Sequence, residues 1–339
     1  MIIVLKPGLS RKQEATVLAE IRKRGYKPHV MRGVARTVVG AIGDELKQGT
    51  LETLTTVFPQ LVESVMPVQK RYKLVSREAH PTDSTIDVRG QIIGGRKFQV
   101  IAGPCSVESE KQLLSTAEAV KEAGATILRG GAFKPRTSPY EFQGLGEKGL
   151  KLLAKARRET GLAVITELLS ENHAELVAEY TDIIQIGARN AQNFQLLIAA
   201  AKTGKPILLK RGLSMKIEEW LLAGEYVLAN ENPNLMFCER GIRTFETYTR
   251  NTLDLSTIPI IKKESHCPIV IDPSQGAGRA DLVISMCKGA VAMGADALLI
   301  EVHPNPAEAW SDGAQQVSLA LFKKLMQELQ PFIRAAGRE

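Results

Sequence analysis

The first quarter of the chain alternates between short apolar runs and stretches with helical spacing. Residues 1–7 predict a strand, and residues 10–25 predict a helix with Ser10 as its N-cap, because apolar residues recur there at three- and four-residue intervals. Two strands joined by a turn at Gly33, a second helix and a last strand follow at 28–34, 36–42, 51–61 and 62–68. This β-α-β-β-α-β order predicts a ferredoxin-like α+β domain over residues 1–70.

Strand and helix patterns alternate through the rest of the chain. Several of the predicted strands are continuous apolar runs rather than alternating ones, which is typical of parallel strands covered by helices. The predicted strands are 98–105, 126–133, 163–169, 182–188, 206–210, 235–239, 268–271 and 297–302. Eight such units predict an α/β fold, a closed (β/α)₈ TIM barrel over residues 85–339. An open doubly wound sheet is the alternative, but no G-x-G-x-x-G follows the first strand.

Two short segments precede the barrel strands. Residues 71–84 are polar and contain Pro81, which predicts a linker. Residues 87–97, with a turn at Gly94-Gly95, predict a hairpin that closes the bottom of the barrel.

Composition narrows the class of protein. The chain has 339 residues, of which 44% are hydrophobic and 24% charged, as in ordinary globular enzymes. Its four cysteines lack C-x-x-C spacing, and no apolar run approaches the roughly 20 residues that cross a bilayer. We therefore expect a cytoplasmic enzyme with no membrane partner.

The charge is unevenly distributed. Residues 1–80 hold 14 Lys and Arg against 7 Asp and Glu, whereas residues 81–339 hold 30 of each. The basic residues alternate with apolar ones at helical spacing and are not interleaved with aromatic residues. This favours a solvated helix face over a nucleic-acid-binding arm.

Cations cluster at the predicted carboxyl ends of the strands, where TIM barrels build their active sites. They are Arg129, Lys134, Arg136, Arg189, Lys210 and Arg240. Six cations on one face predict an anion site that holds more than one phosphate. Surface ion pairs are the alternative for any single one of them.

A second group combines a thiol with carboxylates. Cys105 follows the first strand, Glu301 lies on the eighth, and Asp312 comes shortly after it. A thiolate and two carboxylates are a plausible set of ligands for a divalent metal ion, although an isolated cysteine is more often a buried apolar residue. Gln275, at the end of the seventh strand, falls at the same mouth.

Six short segments at the predicted strand ends carry a resemblance to a known family. They are Gly103-Pro-Cys105-Ser, Lys134-Pro-Arg-Thr-Ser-Pro139, Gly187-Ala-Arg189-Asn, Leu209-Lys210-Arg-Gly, Asp272-Pro-Ser274 and Glu301-Val-His-Pro304. They resemble 3-deoxy-D-arabino-heptulosonate 7-phosphate synthases, specifically the type I beta class with an N-terminal ferredoxin-like domain, and the resemblance covers nearly the whole chain. Its most specific part, residues 134–139, separates this family from 3-deoxy-D-manno-octulosonate 8-phosphate synthases.

The resemblance implies a transferase that condenses phosphoenolpyruvate with erythrose 4-phosphate in an aldol-like reaction, the first step of the shikimate pathway to aromatic amino acids. By position, the implied phosphoenolpyruvate ligands are Arg129, Lys134, Arg189, Lys210 and Arg240. The implied erythrose 4-phosphate side consists of Lys134, Pro135, Arg136, Thr137 and Ser138. The implied catalytic residues are Lys134, Glu167, which would lie near the attacking water, and Asp272.

The resemblance also implies a divalent metal ion (Mn, Co, Zn, Fe or Mg) held by Cys105, Gln275, Glu301 and Asp312. The family has a histidine where this chain has Gln275. An amide oxygen suits Mg or Mn better than Zn and cannot exchange a proton as a general acid or base. His303, two residues beyond Glu301 on the same strand face, is an alternative nitrogen ligand.

Three hypotheses therefore stay open. The chain is a working synthase with a changed metal preference, an impaired one, or a non-catalytic paralogue that binds phosphoenolpyruvate and regulates a chorismate-pathway partner. Retention of the clustered cations favours the first.

For the N-terminal domain, the resemblance implies an aromatic amino-acid effector bound between neighbouring subunits of a homotetramer; a purely oligomer-forming attachment is the alternative. His29 and Met31 occupy the implied effector site. Because a thioether is a poor partner for a phenol hydroxyl, we expect phenylalanine to be preferred over tyrosine, or regulation to be weak.

Overall fold

The computed structural model describes residues 1–32, 36–43, 45–66, 70–136 and 138–339, with the backbone alone for residues 45 and 46. These residues form two compact units, Met1–Arg71 and Tyr72–Glu339.

The first unit is an antiparallel sheet of four strands in the order β2-β3-β1-β4. Its elements are β1 (Ile2–Leu5), α1 (Arg11–Lys23), β2 (Lys27–Arg32), β3 (Thr37–Ile42), α2 (Glu45–Gln48), α3 (Leu54–Val57) and β4 (Val62–Met66). Helix α1 begins at the predicted cap, where Ser10 and Gln13 form a reciprocal capping box. Val17 and Ile21 of α1 share one apolar core with Ile3 of β1. The topology confirms the ferredoxin-like prediction.

The second helical segment of this unit is shorter than predicted. Residues 51–61 were expected to form one helix, but only Leu54–Val57 are helical. Phe58 leaves the helical region at φ −125° and ψ 59°, because Pro59 disfavours a helical conformation in the residue before it. The β-branched Thr55 and Thr56 further weaken the helix.

The second unit is a closed parallel barrel. Its eight strands are β7 (Gln99–Gly103), β8 (Ile127–Arg129), β9 (Ala163–Leu168), β10 (Ile183–Ile186), β11 (Ile207–Lys210), β12 (Leu235–Glu239), β13 (Ile269–Ile271) and β14 (Ala297–His303). Each strand pairs in parallel with the next, and β14 pairs with β7 to close the ring. This confirms the TIM barrel and excludes the open-sheet alternative.

Helices cover the outside of the barrel. They are α4 (Glu110–Glu122), α5 (Glu147–Thr160), α6 (Ala174–Tyr180), α7 (Phe194–Lys202), α8 (Ile217–Leu228), α9 (Thr257–Glu264), α11 (Ala280–Ala292) and α12 (Leu319–Ala335). The short helix α10 (Pro273–Ala277) instead follows β13 directly, at the carboxyl end of that strand. A short strand, β15 (Val317–Ser318), extends the edge of β14. No helix in the described ranges is long and apolar enough to cross a membrane.

A hairpin fills one end of the barrel interior. Strands β5 (Ile86–Val88) and β6 (Gln91–Ile93) are antiparallel. Ile86, Val88 and Ile93 are buried in the same apolar cluster as the strand residues Ile101 and Leu299. The hairpin thus packs against the barrel strands, as the prediction of a bottom plug requires.

Part of the predicted linker packs on the barrel. Tyr72 and Val75 are buried in the core of the second unit. The Glu225 carboxylate of α8 accepts the backbone N–H groups of Lys73, Leu74 and Val75 at 2.9, 2.8 and 3.1 Å. From residue 72 onward this segment is fixed to the barrel unit.

Candidate active site

A cavity of about 660 Å³ opens at the carboxyl ends of the barrel strands. Three carboxylates line it, against seven Lys and Arg side chains, so it attracts anions. The cations are Lys134, Arg136, Arg189, Lys210, Arg240, Arg243 and Arg250. Five of the six predicted cations are therefore brought together in one cavity.

Arg129, the sixth predicted cation, is buried at the end of β8. Its Nη1 lies 3.1 Å from Glu301 Oε1 and donates to Pro104 O at 2.9 Å. Burial by itself would lower the pKa of Arg129, but Glu301 and Cys105 raise it above its ordinary value. Its buried Nε has no hydrogen-bond partner among the described residues. A charged, partly unsatisfied donor here suits an anionic ligand.

The predicted metal ligands converge. One ligand atom each from Cys105, Glu301 and Asp312 lie within 4.8 Å of one another. The chain reaches this point from β7, from β14 and from a short turn after β14, where Asp312 adopts a left-handed φ of 51°. Cys105 Sγ is 3.3 Å from Asp312 Oδ2. Sulfur and two carboxylates at this spacing fit a divalent cation.

Burial and the neighbouring cations act in opposite directions on the pKa values of Cys105 and Asp312. Burial, followed by the Glu301 carboxylate, raises the pKa of the Cys105 thiol to about 11. Lys134 Nζ counteracts this from 3.0 Å away and also donates to the Cys105 carbonyl oxygen at 3.1 Å. Burial would also raise the pKa of Asp312, but Arg250 and Lys134 hold it below its ordinary value. A bound cation would favour the thiolate, because metal ligation requires the deprotonated form.

The Glu301 carboxylate is fully buried and held by three side chains. Arg129 Nη1 and Gln275 Nε2 both approach Oε1, at 3.1 and 3.0 Å. Gln315 Nε2 donates to Oε2 at 2.6 Å. These contacts fix the carboxylate beside Cys105.

Gln275 presents its amide nitrogen, rather than its oxygen, to the carboxylates. Nε2 lies 3.0 Å from Glu301 Oε1 and 3.5 Å from Asp312 Oδ2. Oε1 faces the opposite way and accepts a hydrogen bond from Arg240 Nη2 at 2.8 Å. The amide oxygen that we predicted as a metal ligand is therefore occupied by an arginine.

Asp272 and Lys210 form a buried ion pair of 2.6 Å between Oδ2 and Nζ. The other carboxylate oxygen, Oδ1, caps α10 by accepting from Gln275 N at 2.9 Å. The opening of α10 with Asp-Pro-Ser follows from this arrangement, since Asp is a good N-cap and Pro suits the first helical position.

Glu167, at the end of β9, lines the cavity and is half-buried. Gln185 Nε2 donates to its Oε2 at 3.3 Å. Gly187 lies directly beside the other oxygen: a Cβ at this position would be 1.9 Å from Glu167 Oε1. The glycine of the Gly187-Ala-Arg189-Asn segment therefore makes room for the carboxylate.

The predicted sugar-phosphate segment is described in part. Pro135 and Arg136 line the cavity, and Arg136 Nε donates to Phe142 O at 2.9 Å. Ser138 Oγ accepts from Tyr140 N at 3.3 Å. The fourth residue of this segment, Thr137, lies outside the described residues.

Two other predicted residues are in the first unit. His29 and Met31 are exposed at alternate positions of β2, and therefore on the same face of the sheet.

His303 is not part of the metal cluster. Its Nδ1 accepts the Asn305 N–H at 3.1 Å, and its Nε2 lies 3.2 Å from Glu108 Oε2. Since both ring nitrogens are engaged, the suggestion that His303 replaces a nitrogen ligand is wrong.

Three residues that line the cavity were not predicted: Arg243, Arg250 and Gln185. Arg243 and Arg250 belong to the connection between β12 and α9, and Arg250 Nη1 donates to Asp312 Oδ1 at 3.1 Å and to Gln315 Oε1 at 2.9 Å. The signal that could have found them is length, because this connection runs from residue 240 to 256 and long barrel loops usually carry function. Gln185 lies inside an otherwise apolar strand, and a buried polar residue at such a position is a signal of a functional site.

The fold and the site define a TIM-barrel enzyme that handles phosphorylated anions beside a cation site. The model of the DAHP synthetase I family matches residues 76–335, and that of the DAHP synthase ferredoxin-like domain matches residues 1–70. The chain belongs to the DAHP synthetase I family.

Individual relatives agree with this assignment. The chain is 51% identical to phospho-2-dehydro-3-deoxyheptonate aldolase of Thermotoga maritima over 339 residues, 99% of each chain. A crystal structure of that aldolase from the same organism matches with a TM-score of 0.94 at 50% identity, covering 100% of this chain and 98% of the other. The 2-dehydro-3-deoxyphosphooctonate aldolase of Caulobacter vibrioides is 35% identical over 259 residues, 70% of this chain and 88% of the relative.

Proposed function

We infer that this protein condenses phosphoenolpyruvate with erythrose 4-phosphate to give 3-deoxy-D-arabino-heptulosonate 7-phosphate and inorganic phosphate. The observation that carries this inference is the 51% identity to the Thermotoga maritima aldolase across both domains. The octonate aldolase of Caulobacter vibrioides matches 70% of this chain at 35% identity. Full-length similarity therefore favours the four-carbon aldehyde, which gives a seven-carbon product, over a five-carbon one.

The cation-rich cavity supports two phosphorylated reactants. We assign Arg129, Lys134, Arg189, Lys210 and Arg240 to phosphoenolpyruvate, whose carboxylate and phosphate need several fixed donors. We assign Lys134, Pro135, Arg136, Thr137 and Ser138 to the side of erythrose 4-phosphate. Arg243 and Arg250 add positive charge to the same cavity.

Binding both anions in one cavity aligns the enol carbon with the aldehyde and replaces a random encounter by a fixed approach. Glu167 lies on the cavity wall, where it can exchange a proton with the water that adds to the second carbon of phosphoenolpyruvate. Phosphate then leaves by C–O cleavage. Lys134 would donate a proton to the aldehyde oxygen or stabilise the negative charge that develops on it, because Nζ of Lys134 is held at Cys105, beside the cluster. The Lys210–Asp272 pair keeps a buried cation in a fixed position.

Cys105, Glu301 and Asp312 would hold the divalent ion. When bound, such an ion supplies a Lewis acid that polarises the aldehyde carbonyl. The three donors fit a divalent cation in type and spacing.

The paralogue hypothesis is not favoured. Clustered like charges are unfavourable unless a ligand neutralises them, and the chain retains the cations of the cavity. The turnover rate distinguishes a working synthase from an impaired one.

Phosphoenolpyruvate consumption tests the function directly. The full-length chain is assayed with erythrose 4-phosphate and, separately, with a five-carbon aldose phosphate, before and after chelation and with Mn, Co, Zn or Mg restored. We expect turnover with the four-carbon substrate, lost on chelation and restored by metal. Turnover with the five-carbon substrate alone, or none with either, contradicts the proposal.

For the first unit, we propose feedback inhibition by an aromatic amino acid that contacts His29 and Met31. We also propose that the enzyme is a homotetramer and cytoplasmic. The support is the match of residues 1–70 to the ferredoxin-like domain of the family. Inhibition by phenylalanine but not tyrosine is expected. Strong inhibition by tyrosine alone would contradict the assignment of Met31.

A further inference from the structure

The Gln275 side chain is fixed by partners of opposite hydrogen-bonding type on its two sides. Arg240 Nη2 lies 2.8 Å from the amide oxygen, and a guanidinium group has donors only. The atom that faces Arg240 must therefore be the oxygen. The amide nitrogen then points to Glu301 Oε1 at 3.0 Å and towards Asp312 Oδ2 at 3.5 Å, both of which are acceptors.

The opposite orientation of the amide is disfavoured at both ends. Rotating the group by half a turn would bring its NH₂ against the NH₂ of Arg240, where two donors meet without an acceptor. A cation among the carboxylates could bind the amide oxygen in this orientation, but the two NH₂ groups of Gln275 and Arg240 would still face each other. Arg240 is itself buried and tied to Gly241 O at 3.3 Å, which limits its retreat.

We propose that Gln275 is a positioning residue rather than a metal ligand. Its NH₂ braces two of the ligands from outside the coordination shell, and Arg240 keeps its oxygen away from the ion. This inference rests on the metal centre of the proposed function, and it gives that centre three protein ligands: Cys105, Glu301 and Asp312. A centre with three protein ligands keeps its remaining positions for water or substrate.

The arrangement also links the anion site to the metal centre. Arg240 lines the cavity and contacts Gln275, which in turn contacts Glu301. Removing Arg240 should therefore do more than delete a positive charge: it should release the amide oxygen to turn towards the ion. That effect requires Gln275, whereas the electrostatic effect of losing a cation does not.

A cycle of four full-length proteins separates the two effects. Cobalt(II) is titrated into metal-free wild type, Arg240→Leu, Gln275→Leu and the double variant, without substrates, and the near-ultraviolet thiolate-to-cobalt absorption gives the dissociation constant. We expect Arg240→Leu to tighten binding at least about fivefold more when Gln275 is present than when residue 275 is leucine. Equal tightening in both backgrounds overturns the proposal.

Cys105→Ser is the control for the signal. Loss of the absorption in this variant shows that cobalt binds at the cluster, and persistence of the absorption overturns the proposal. Gln275→His should tighten binding by at least about tenfold, because an imidazole adds a fourth ligand; no tightening counts against a three-ligand centre.

A crystal of the unaltered protein soaked in cobalt gives a test that needs no variant. The anomalous peak should lie within bonding distance of Cys105, Glu301 and Asp312 and more than about 3 Å from both amide atoms of Gln275. An amide atom within about 2.2 Å of the peak overturns the proposal. Because no substrate is used, failure of the inference is separate from failure of the condensation, which phosphoenolpyruvate consumption reports.

Discussion

Lys210 Nζ lies 2.6 Å from Asp272 Oδ2, and both side chains are almost fully buried. Lys210 is the last residue of β11, and Asp272 directly follows β13, two strands further along the barrel. A buried charge that loses its partner is costly, so the pair is held together by the penalty of separating it as much as by its own attraction.

Asp272→Asn tests this pair. Asparagine keeps an oxygen that can cap α10, so the helix start should survive while Lys210 loses its counter-charge. We expect the free energy of unfolding to fall by about 3–5 kcal/mol in urea and turnover to fall by at least about 100-fold. Glu147→Gln, which breaks the exposed Lys151–Glu147 pair of 2.7 Å, is the control and should change neither quantity measurably. If Asp272→Asn is no worse than this control, the pair has no such role.

Gly187→Ala tests the space beside Glu167. The added methyl would meet Glu167 Oε1 at 1.9 Å, so the carboxylate must move. The backbone at residue 187 does not have to change, because φ −71° and ψ 160° already suit alanine. We expect kcat to fall by about 100-fold with little change in Tm, since only a flexible side-chain end is displaced.

Gly289→Ala is the matched control for that substitution. It adds a methyl inside α11, which would meet the side chain of Leu255 at 3.2 Å, and should leave kcat unchanged. A normal kcat for Gly187→Ala would show that the position of Glu167 does not limit the reaction.

The barrel and the cation cluster could be predicted because both depend on strand ends. Arg129, Lys210 and Glu301 each end or follow an apolar run, and a closed parallel sheet gathers such residues at one mouth. Neither result required knowledge of any side-chain contact.

Features set by tertiary contacts could not be predicted. Arg250 lies in a connection without periodicity, so nothing local indicates that it reaches Asp312. The orientation of Gln275 depends on Arg240, 35 residues earlier in the chain. The pairing of His303 with Glu108 spans 195 residues, and position on a strand face alone had suggested a metal ligand.

Glu108 and His303 fix the segment that carries Asp312. Glu108 Oε1 accepts the Trp310 N–H at 2.8 Å, and Oε2 lies 3.2 Å from His303 Nε2. Nε2 carries the ring proton, because Nδ1 accepts the Asn305 N–H.

Glu108→Gln can keep only one of these two contacts, since its NH₂ would face another donor. We expect unfolding free energy to fall by about 1–3 kcal/mol and cobalt affinity to weaken. Glu110→Gln, two residues away at an exposed contact with Lys155, should affect neither; equal behaviour of the two variants would argue against a fixed segment.

Arg250 lies 3.1 Å from Asp312 Oδ1 and keeps that carboxyl ionised. Burial would raise the pKa of Asp312, but Arg250 and Lys134 hold it below its ordinary value. A carboxyl with a depressed folded-state pKa contributes stability above its unfolded pKa of about 3.9 and loses it as the pH falls through the folded pKa. Arg250→Leu removes the cation with the larger lowering effect on the pKa of Asp312, so Asp312 should take up a proton at higher pH than in wild type.

The acid limb of the turnover profile should then move to higher pH in Arg250→Leu, because a protonated Asp312 cannot serve as a ligand. The measurement is the turnover rate against pH at saturating substrates and at a fixed metal concentration below saturation, where a proton on Asp312 competes with metal binding. Arg243→Leu is the matched control: it removes a cation from the same cavity, but Asp312 owes its low pKa to Arg250 and Lys134, so only the KM should rise. An acid limb that moves equally in both variants would mean that the general charge of the cavity, rather than the Arg250–Asp312 contact, sets the protonation of this ligand.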